Sequence, residues 1–486
     1  MNIRYIQRIF IALLFAGLTA CAHYPLNQQS EIFNNDAGYR FDNLNAEDNS
    51  DSLFICLAFS GGGTRAAAFS YGVMDELFRT KIVHNGVEKS LLDEVDCISS
   101  VSGGSFTAAY YGLFAEQLFV DFRTEFLEKD IQGAIGGRVF NPANWFRLAS
   151  PNFSRIDIAA ELYDEEIFKG KHFGDLQGRG RPFLILNATN LESGARFDFT
   201  HLHFDAMGSD LENYPVARAA AASSAFPILL SPISLENYPR ASGYSPPWWY
   251  DGALESLHSS RYRYQAAKDL SYYFDKDHRY IHLMDGGLAD NIGVRGIYHA
   301  FSRGFIRTRI NDNMIDRLVV IVVNAATDPH EKLSERESPP DLLQVATKTA
   351  TISLDNYSIE SITLMVESLR QRVRAQQDLT ACQDILDQNC PDPPDLPTFG
   401  NMIDPYIIEI NFAGAAELEG EDPDYYLNLP TSFKLDQQQV ERLVNIGPKL
   451  LRSSPQYKCL VEVIEAEAEG RPRPAECEIG AGIAGF

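Results

Sequence analysis

The chain has 486 residues, 66 of them acidic and 42 basic, for a formal net charge of −24. That balance argues against nucleic acid, whose phosphates call for basic patches, and against electrostatic attraction to anionic lipid; its bland role is solubility. The length would allow two or three domains, but the order of elements favours one large core with a helical extension.

In chain order, the first segment is "MNIRYIQRIFIALLFAGLTAC", with Arg4 and Arg8, an apolar run from Ile9 to Leu18, and small residues before Cys21. The apolar run is too short to span a bilayer and reads as an export signal over residues 1–20. "LTAC" resembles the lipobox of bacterial lipoproteins, which implies that Cys21 is lipidated and becomes the mature N-terminus. Ala22 stands where an Asp would favour inner-membrane retention, so the resemblance implies a lipid-anchored protein of the outer membrane in a bacterial cell envelope. Lipidation alone would tether the chain, and no later segment reads as a transmembrane helix. Residues 21–50 are polar and Asn/Asp-rich, and suit a tether.

Regular structure is expected from residue 51. "LFICLAF" (Leu53–Phe59) is a continuous apolar run followed by glycines, as in a strand of a parallel sheet. A helix is expected over Thr64–Thr80, a second strand at "EVDCISS", and a second helix at "SFTAAYYGLFAEQLF". Strand, glycine turn and helix thus occur twice, which argues for α/β architecture. Further strands are expected at Phe183–Ala188, Tyr280–Met284, Leu318–Asn324 and Tyr406–Phe412, with an amphipathic helical section around Leu342–Gln376 and helix again from Asp436. The core is placed at 51–330, followed by a mostly helical extension over 331–486 that could add a strand to the core sheet.

Six cysteines remain besides Cys21. In an oxidising compartment Cys382 with Cys390, and Cys459 with Cys477, are expected as local disulfides. Cys56 and Cys97 lie in apolar strand-like runs and are expected as buried thiols. No cysteine–histidine spacing suggests a metal site.

Three loops carry chemistry. In "SSVSGGS" (Ser99–Ser105) Ser102 follows a buried-type strand and precedes a helix, close to the G-x-S-x-G turn that exposes a nucleophilic serine, with Ser100 in place of the first glycine. In "SGGGTR" (Ser60–Arg65) three glycines between strand and helix expose backbone N–H groups, as an oxyanion hole requires. Gly61, Gly63 and Ala66 also satisfy a dinucleotide fingerprint, but "KIVHNGVEKS" downstream supplies no acidic strand end. In "MDGGLADNIG" Asp285 follows a strand and precedes two glycines, so its carboxylate could reach the elbow of a neighbouring strand. His282 raises a Ser-His-Asp triad, but an α/β-hydrolase needs more strands before its nucleophile than residues 53–101 supply.

"SGGGTR", "SVSGG", "ASSAFP" (Ala222–Pro227) and "DGGLADN", together with "FLILNATNLESGARFDF", resemble the ordered blocks of the patatin-like phospholipase family over roughly residues 53–325. The resemblance implies a three-layer α/β/α patatin-like core with a mainly parallel central sheet. It implies a Ser–Asp dyad of Ser102 and Asp285, an oxyanion hole from the N–H groups of Gly61, Gly62 and Gly63, and Arg65 near the substrate. It also implies a phospholipid or other acyl-ester lipid as substrate, with no metal or organic cofactor. Asp251 in "WWYDGAL" is the internal rival of Asp285, which is preferred because "LADN" follows it. The aromatic section Tyr238–Phe274 is read as an insertion on the core, or as a rim meeting lipid through Trp248 and Trp249. The expectation is a serine acyl-ester hydrolase; the alternative is a catalytically silent envelope protein that binds lipid in the same cleft.

Overall fold

A computed structural model describes residues 22–46, 49–227, 229–328, 337, 339–340, 342–394, 396 and 403–484. The export signal at 1–20 and Cys21 lie outside the described residues.

The core is a sheet whose central strands are buried on both faces, which is why β1 and β9 read as apolar runs. Its strands are β1 (Leu53–Phe59), β4 (Val95–Val101), β5 (Phe183–Asn190), β6 (Arg196–Asp198), β7 (Ile233–Glu236), β8 (Tyr280–Asp285), β9 (Arg317–Asn324) and β10 (Asp404–Asn411). A separate hairpin is formed by β2 (Lys81–His84) and β3 (Val87–Ser90). The sheet order is β10-β9-β1-β4-β5-β8-β7, with β6 also on β5. The five strands from β10 to β5 are parallel, and β8, β7 and β6 join antiparallel at the far side. Helices on both faces make three layers, α/β/α, as expected.

Two helices leave the ends of neighbouring strands: α1 (Gly63–Arg79) follows β1, and α2 (Gly103–Phe114) follows β4. The second stops short of the expected Phe119, because Ala115 turns to φ +49°. Beyond it run α3 (Ile131–Phe140), α4 (Pro142–Leu148), α5 (Arg155–Tyr163), α6 (Val216–Ser223) and α7 (Val294–Arg303).

The C-terminal region holds α8 (Leu342–Asn389), longer than the expected section, then α9 (Gln437–Ser453) and α10 (Pro455–Ala468). Asp436 starts α9 with a capping box closed by Gln439. This region is built into the core rather than appended to it. β10 pairs with β9 from Asp404 to Asn411, and α9 crosses α1 so closely that a Cβ on Gly72 would sit 2.2 Å from the Val444 carbonyl oxygen. The segment expected as a tether is also docked over its described part. Tyr39 is fully buried and stacks on Phe183, and Asn27 is bonded to Ser209 and Glu236.

Two cysteine expectations need correction. Cys56 and Cys97 form a disulfide, because β1 and β4 are neighbours whose register sets these residues side by side with Cα atoms 4.6 Å apart. Cys382 and Cys390 are free thiols. They lie eight residues apart on and just beyond one helix, a rise of about 12 Å, out of reach of a disulfide. The expected Cys459–Cys477 bridge is present.

Candidate active site

β1 and β4 lie side by side and parallel, so the loops at their carboxyl ends meet at one edge, where open α/β sheets bind ligands. Ser102 caps α2 with φ +49° and ψ −120°, a strained backbone for a residue with a Cβ. Bonds on both sides hold it there. The Ser102 N–H donates to Ser223 Oγ at 2.9 Å, and its carbonyl accepts from the Ser105 N–H at 3.0 Å. Gly103 must be glycine, since a Cβ there would meet the Gly63 carbonyl oxygen at 1.9 Å. Ser100, in place of the motif glycine, lies within β4 and away from positive φ, so a side chain is tolerated.

Asp285 ends β8 opposite Ala188 and is buried. The Ser102 side chain lies beside its carboxylate and favours the charged form, and the Gly287 N–H donates to that carboxylate at 2.9 Å. Burial nevertheless pushes the carboxyl up to about 7, these two neighbours only partly offsetting it. Asp251 lies exposed on a short helix, and His282 is exposed and bonded to Ser234. The structure therefore brings Ser102 to Asp285 and to neither rival.

The glycine loop abuts the elbow. The Gly61 N–H donates to the Asn291 carbonyl at 2.9 Å, whereas the Gly62 and Gly63 N–H groups have no hydrogen-bond partner among the described residues. Two of the three expected oxyanion donors are thus available. Arg65 departs from expectation. It is buried, and its guanidinium donates to the carbonyls of Ala325 (3.0 Å) and Leu429 (2.7 Å) and to Thr431 Oγ1 (3.1 Å). Those bonds clamp Leu429–Phe433 across the glycine loop, where the Thr64 N–H also donates to the Ser432 carbonyl. An arginine held this way is a brace.

Sequence reasoning missed Ser223. Besides accepting the Ser102 N–H, its Oγ bonds Ser105 Oγ at 2.9 Å, and its carbonyl accepts the Gly286 N–H at 3.1 Å. One residue therefore holds the elbow and the aspartate turn together, and its place inside "ASSAFP" was the available signal. Asn187 acts similarly from behind, donating to Ser99 Oγ and the Ser100 carbonyl while Arg196 grips its oxygen. Trp249 is buried under Arg303, so of the expected aromatic rim only Trp248 faces outward. Among the described residues, no group of three or more His, Cys, Asp and Glu side chains could hold a metal ion, and no helix is long and apolar enough to cross a membrane.

Chemically, a serine hydroxyl next to a carboxylate tuned near neutrality, beside unpartnered N–H groups, can add to a carbonyl carbon and stabilise the resulting oxyanion. The family model described as patatin-like phospholipase matches residues 57–298. No curated protein matches the chain. Among solved structures, the chain is similar to human GIVD cytosolic phospholipase A2 in complex with methyl gamma-linolenyl fluorophosphonate, at 12% identity and a TM-score of 0.39, with 87% of this chain and 60% of that one covered. It is also similar to VipD from Legionella pneumophila, at 11% identity and a TM-score of 0.28 over 88% of this chain and 70% of that one. The match to ExoU with SpcU from Pseudomonas aeruginosa has 14% identity and a TM-score of 0.20 over 85% and 79%. The chain thus spans 60% of the length of the human phospholipase.

Proposed function

The chain belongs, over residues 57–298, to the patatin-like phospholipase family, and from that premise we propose that it is a serine hydrolase of acyl-ester lipids, phospholipids or lysophospholipids among them. The observation that carries the reading is Ser102, held on a strained elbow beside the buried Asp285, whose carboxyl is pushed up to about 7. A carboxylate at its ordinary pKa near 4 is a poor base for a serine; one near 7 is matched to neutral pH.

In the proposed reaction Ser102 Oγ attacks the ester carbonyl as its proton passes to Asp285. The oxyanion is met by the N–H groups of Gly62 and Gly63 at the start of α1, whose dipole favours negative charge there. Asp285 then protonates the leaving alcohol, and the acyl-serine is hydrolysed by a water that gives its proton to Asp285. The chain is further proposed to be anchored by lipid on Cys21 at the bacterial outer membrane. Metabolic labelling with a tagged fatty acid, lost in Cys21→Ser, is the expected result.

The test of the reaction is fatty-acid release from mixed phospholipid vesicles, with labelling by a fluorophosphonate. Both should vanish in Ser102→Ala, and release should vanish in Asp285→Asn. Neither release nor labelling in the native chain would leave the lipid-binding alternative.

A further inference from the structure

The helices α3 and α4 form a rigid hairpin that faces outward. Asp130 caps α3 by accepting the Gly133 N–H, Asn141 caps α4 by accepting the Ala143 N–H, and Asn144 bonds back to the Arg138 carbonyl. On this scaffold Phe140 is 77% exposed and Trp145 57% exposed. Phe140 is the most exposed phenylalanine among the described residues. Holding large apolar side chains in water on ordered helices is unfavourable unless something covers them.

Charge says what could. The 26 residues from Ile131 to Ile156 contain no Asp or Glu, in a chain with 66 of them. Arg138 pairs with Glu165 and Glu166, and Arg147 pairs with Glu161, so neither arginine leaves a bare positive charge on the face. A surface that neither repels phosphate nor attracts anions suits a zwitterionic bilayer.

Two connections place this face. The first is the start of the described chain. Ser150 Oγ, two residues past α4, donates to the Ala22 carbonyl, and the Tyr24 N–H donates to the Asn152 carbonyl at 2.7 Å. Cys21 is one peptide bond away, so an acyl chain on it would begin beside the hairpin. The second is the proposed catalytic loop. The Gln132 N–H in the first turn of α3 donates to the Phe433 carbonyl, Ser432 Oγ donates to Gln132 Oε1, and Lys434 pairs with Asp130. Ser432 in turn receives the Thr64 N–H beside Gly63.

We propose that the α3–α4 hairpin is the face by which this protein lies on a phospholipid bilayer, with Phe140 and Trp145 sunk among zwitterionic head groups. The proposal deepens, and rests on, the reading of the protein as a tethered lipid hydrolase. Exposed aromatics near the anchored end of the chain would add an interfacial attachment that sets its orientation on the bilayer.

The chain has three tryptophans, Trp145, Trp248 and Trp249. The experiment uses the full chain carrying Trp248→Phe and Trp249→Phe, mixed with phosphatidylcholine vesicles brominated on their acyl chains. Trp145 emission should shift to the blue and lose about a third or more of its intensity. In the companion carrying Trp145→Phe and Trp249→Phe, Trp248 emission should stay unchanged. Trp145 emission unchanged while the protein sediments with the vesicles would overturn the proposal. So would failure to sediment, or equal quenching of Trp248.

The paired substitution Phe140→Asp with Trp145→Asp should lower vesicle hydrolysis by about tenfold or more and leave hydrolysis of a water-soluble short-chain ester unchanged. Equal loss on both substrates would overturn the docking role. Quenching of Trp145 without Ser102-dependent hydrolysis of either substrate would overturn the catalytic reading and leave the docking face standing.

Discussion

Asp285 is held where its charge is costly, and on the proposed mechanism that cost is what fits it to act as a base. Burial lifts its carboxyl to about 7 while Ser102 and Gly287 pull the other way. On the proposed mechanism kcat/KM for a soluble ester should rise with pH and level off above about 7, as read from a pH–rate profile. The stability effect has the opposite sign. The folded carboxyl holds its proton up to about 7, and the unfolded one releases it near 4. Stability should therefore fall as pH rises through that window. Asp285→Asn should abolish turnover, yet melt at a higher temperature than the native chain at pH 8, with the gap closing at low pH. A second residue-scale test concerns Ser223. Ser223→Ala leaves the buried Ser102 N–H unsatisfied, at about 1–3 kcal/mol. Because that bond holds the strained elbow, kcat and the rate of fluorophosphonate labelling should fall with KM little changed.

At the scale of elements, Leu429–Phe433 is fastened over the glycine loop by Arg65 and Thr64. Arg65→Gln should lower stability by about 1.5–3 kcal/mol, as expected for charged donors lost from buried acceptors, measured as a drop in Tm. An arginine that instead held substrate would raise KM at unchanged Tm. The contrast shows what could be read from sequence. Strands buried on both faces, such as β1, β5 and β9, carry long apolar runs, so their positions were legible to within two residues. The Ser102 and Asp285 turns were singled out because each follows a buried strand and because their blocks stand in the order seen in the patatin-like family. The role of Arg65 was not legible, because its acceptors lie 260 to 366 positions away in sequence. Nor was the engagement of Gly61, whose N–H partner Asn291 becomes a neighbour only once the sheet is ordered.

For the whole molecule, the expected boundary near residue 330 divides a single core. β10 completes the parallel edge beside β9, and α9 covers α1, the helix that begins in the glycine loop. A chain ending at residue 330 would expose the apolar faces of both, so it should be insoluble or bind a hydrophobic dye strongly, and a well-folded fragment with a sharp melting transition would refute this. The pairing of Cys56 with Cys97 was hidden for the same reason as Arg65: it depends on which strands lie side by side. Closing that 41-residue loop is worth on the order of 4 kcal/mol on the chain-entropy view.

The position of this bond adds an order of events. Cys56 is four residues before Ser60 and Cys97 five before Ser102, so the bond ties the two strands just upstream of the glycine loop and the serine elbow. Until it forms, the mutual alignment of these two loops depends on backbone pairing and apolar contacts alone. A chain made among reducing thiols would carry the glycine loop and the serine elbow before the strap that holds them in step. On the proposed reading of an exported lipid hydrolase, oxidation after export would work as a maturation step, leaving the two loops least firmly aligned in the compartment that makes the chain.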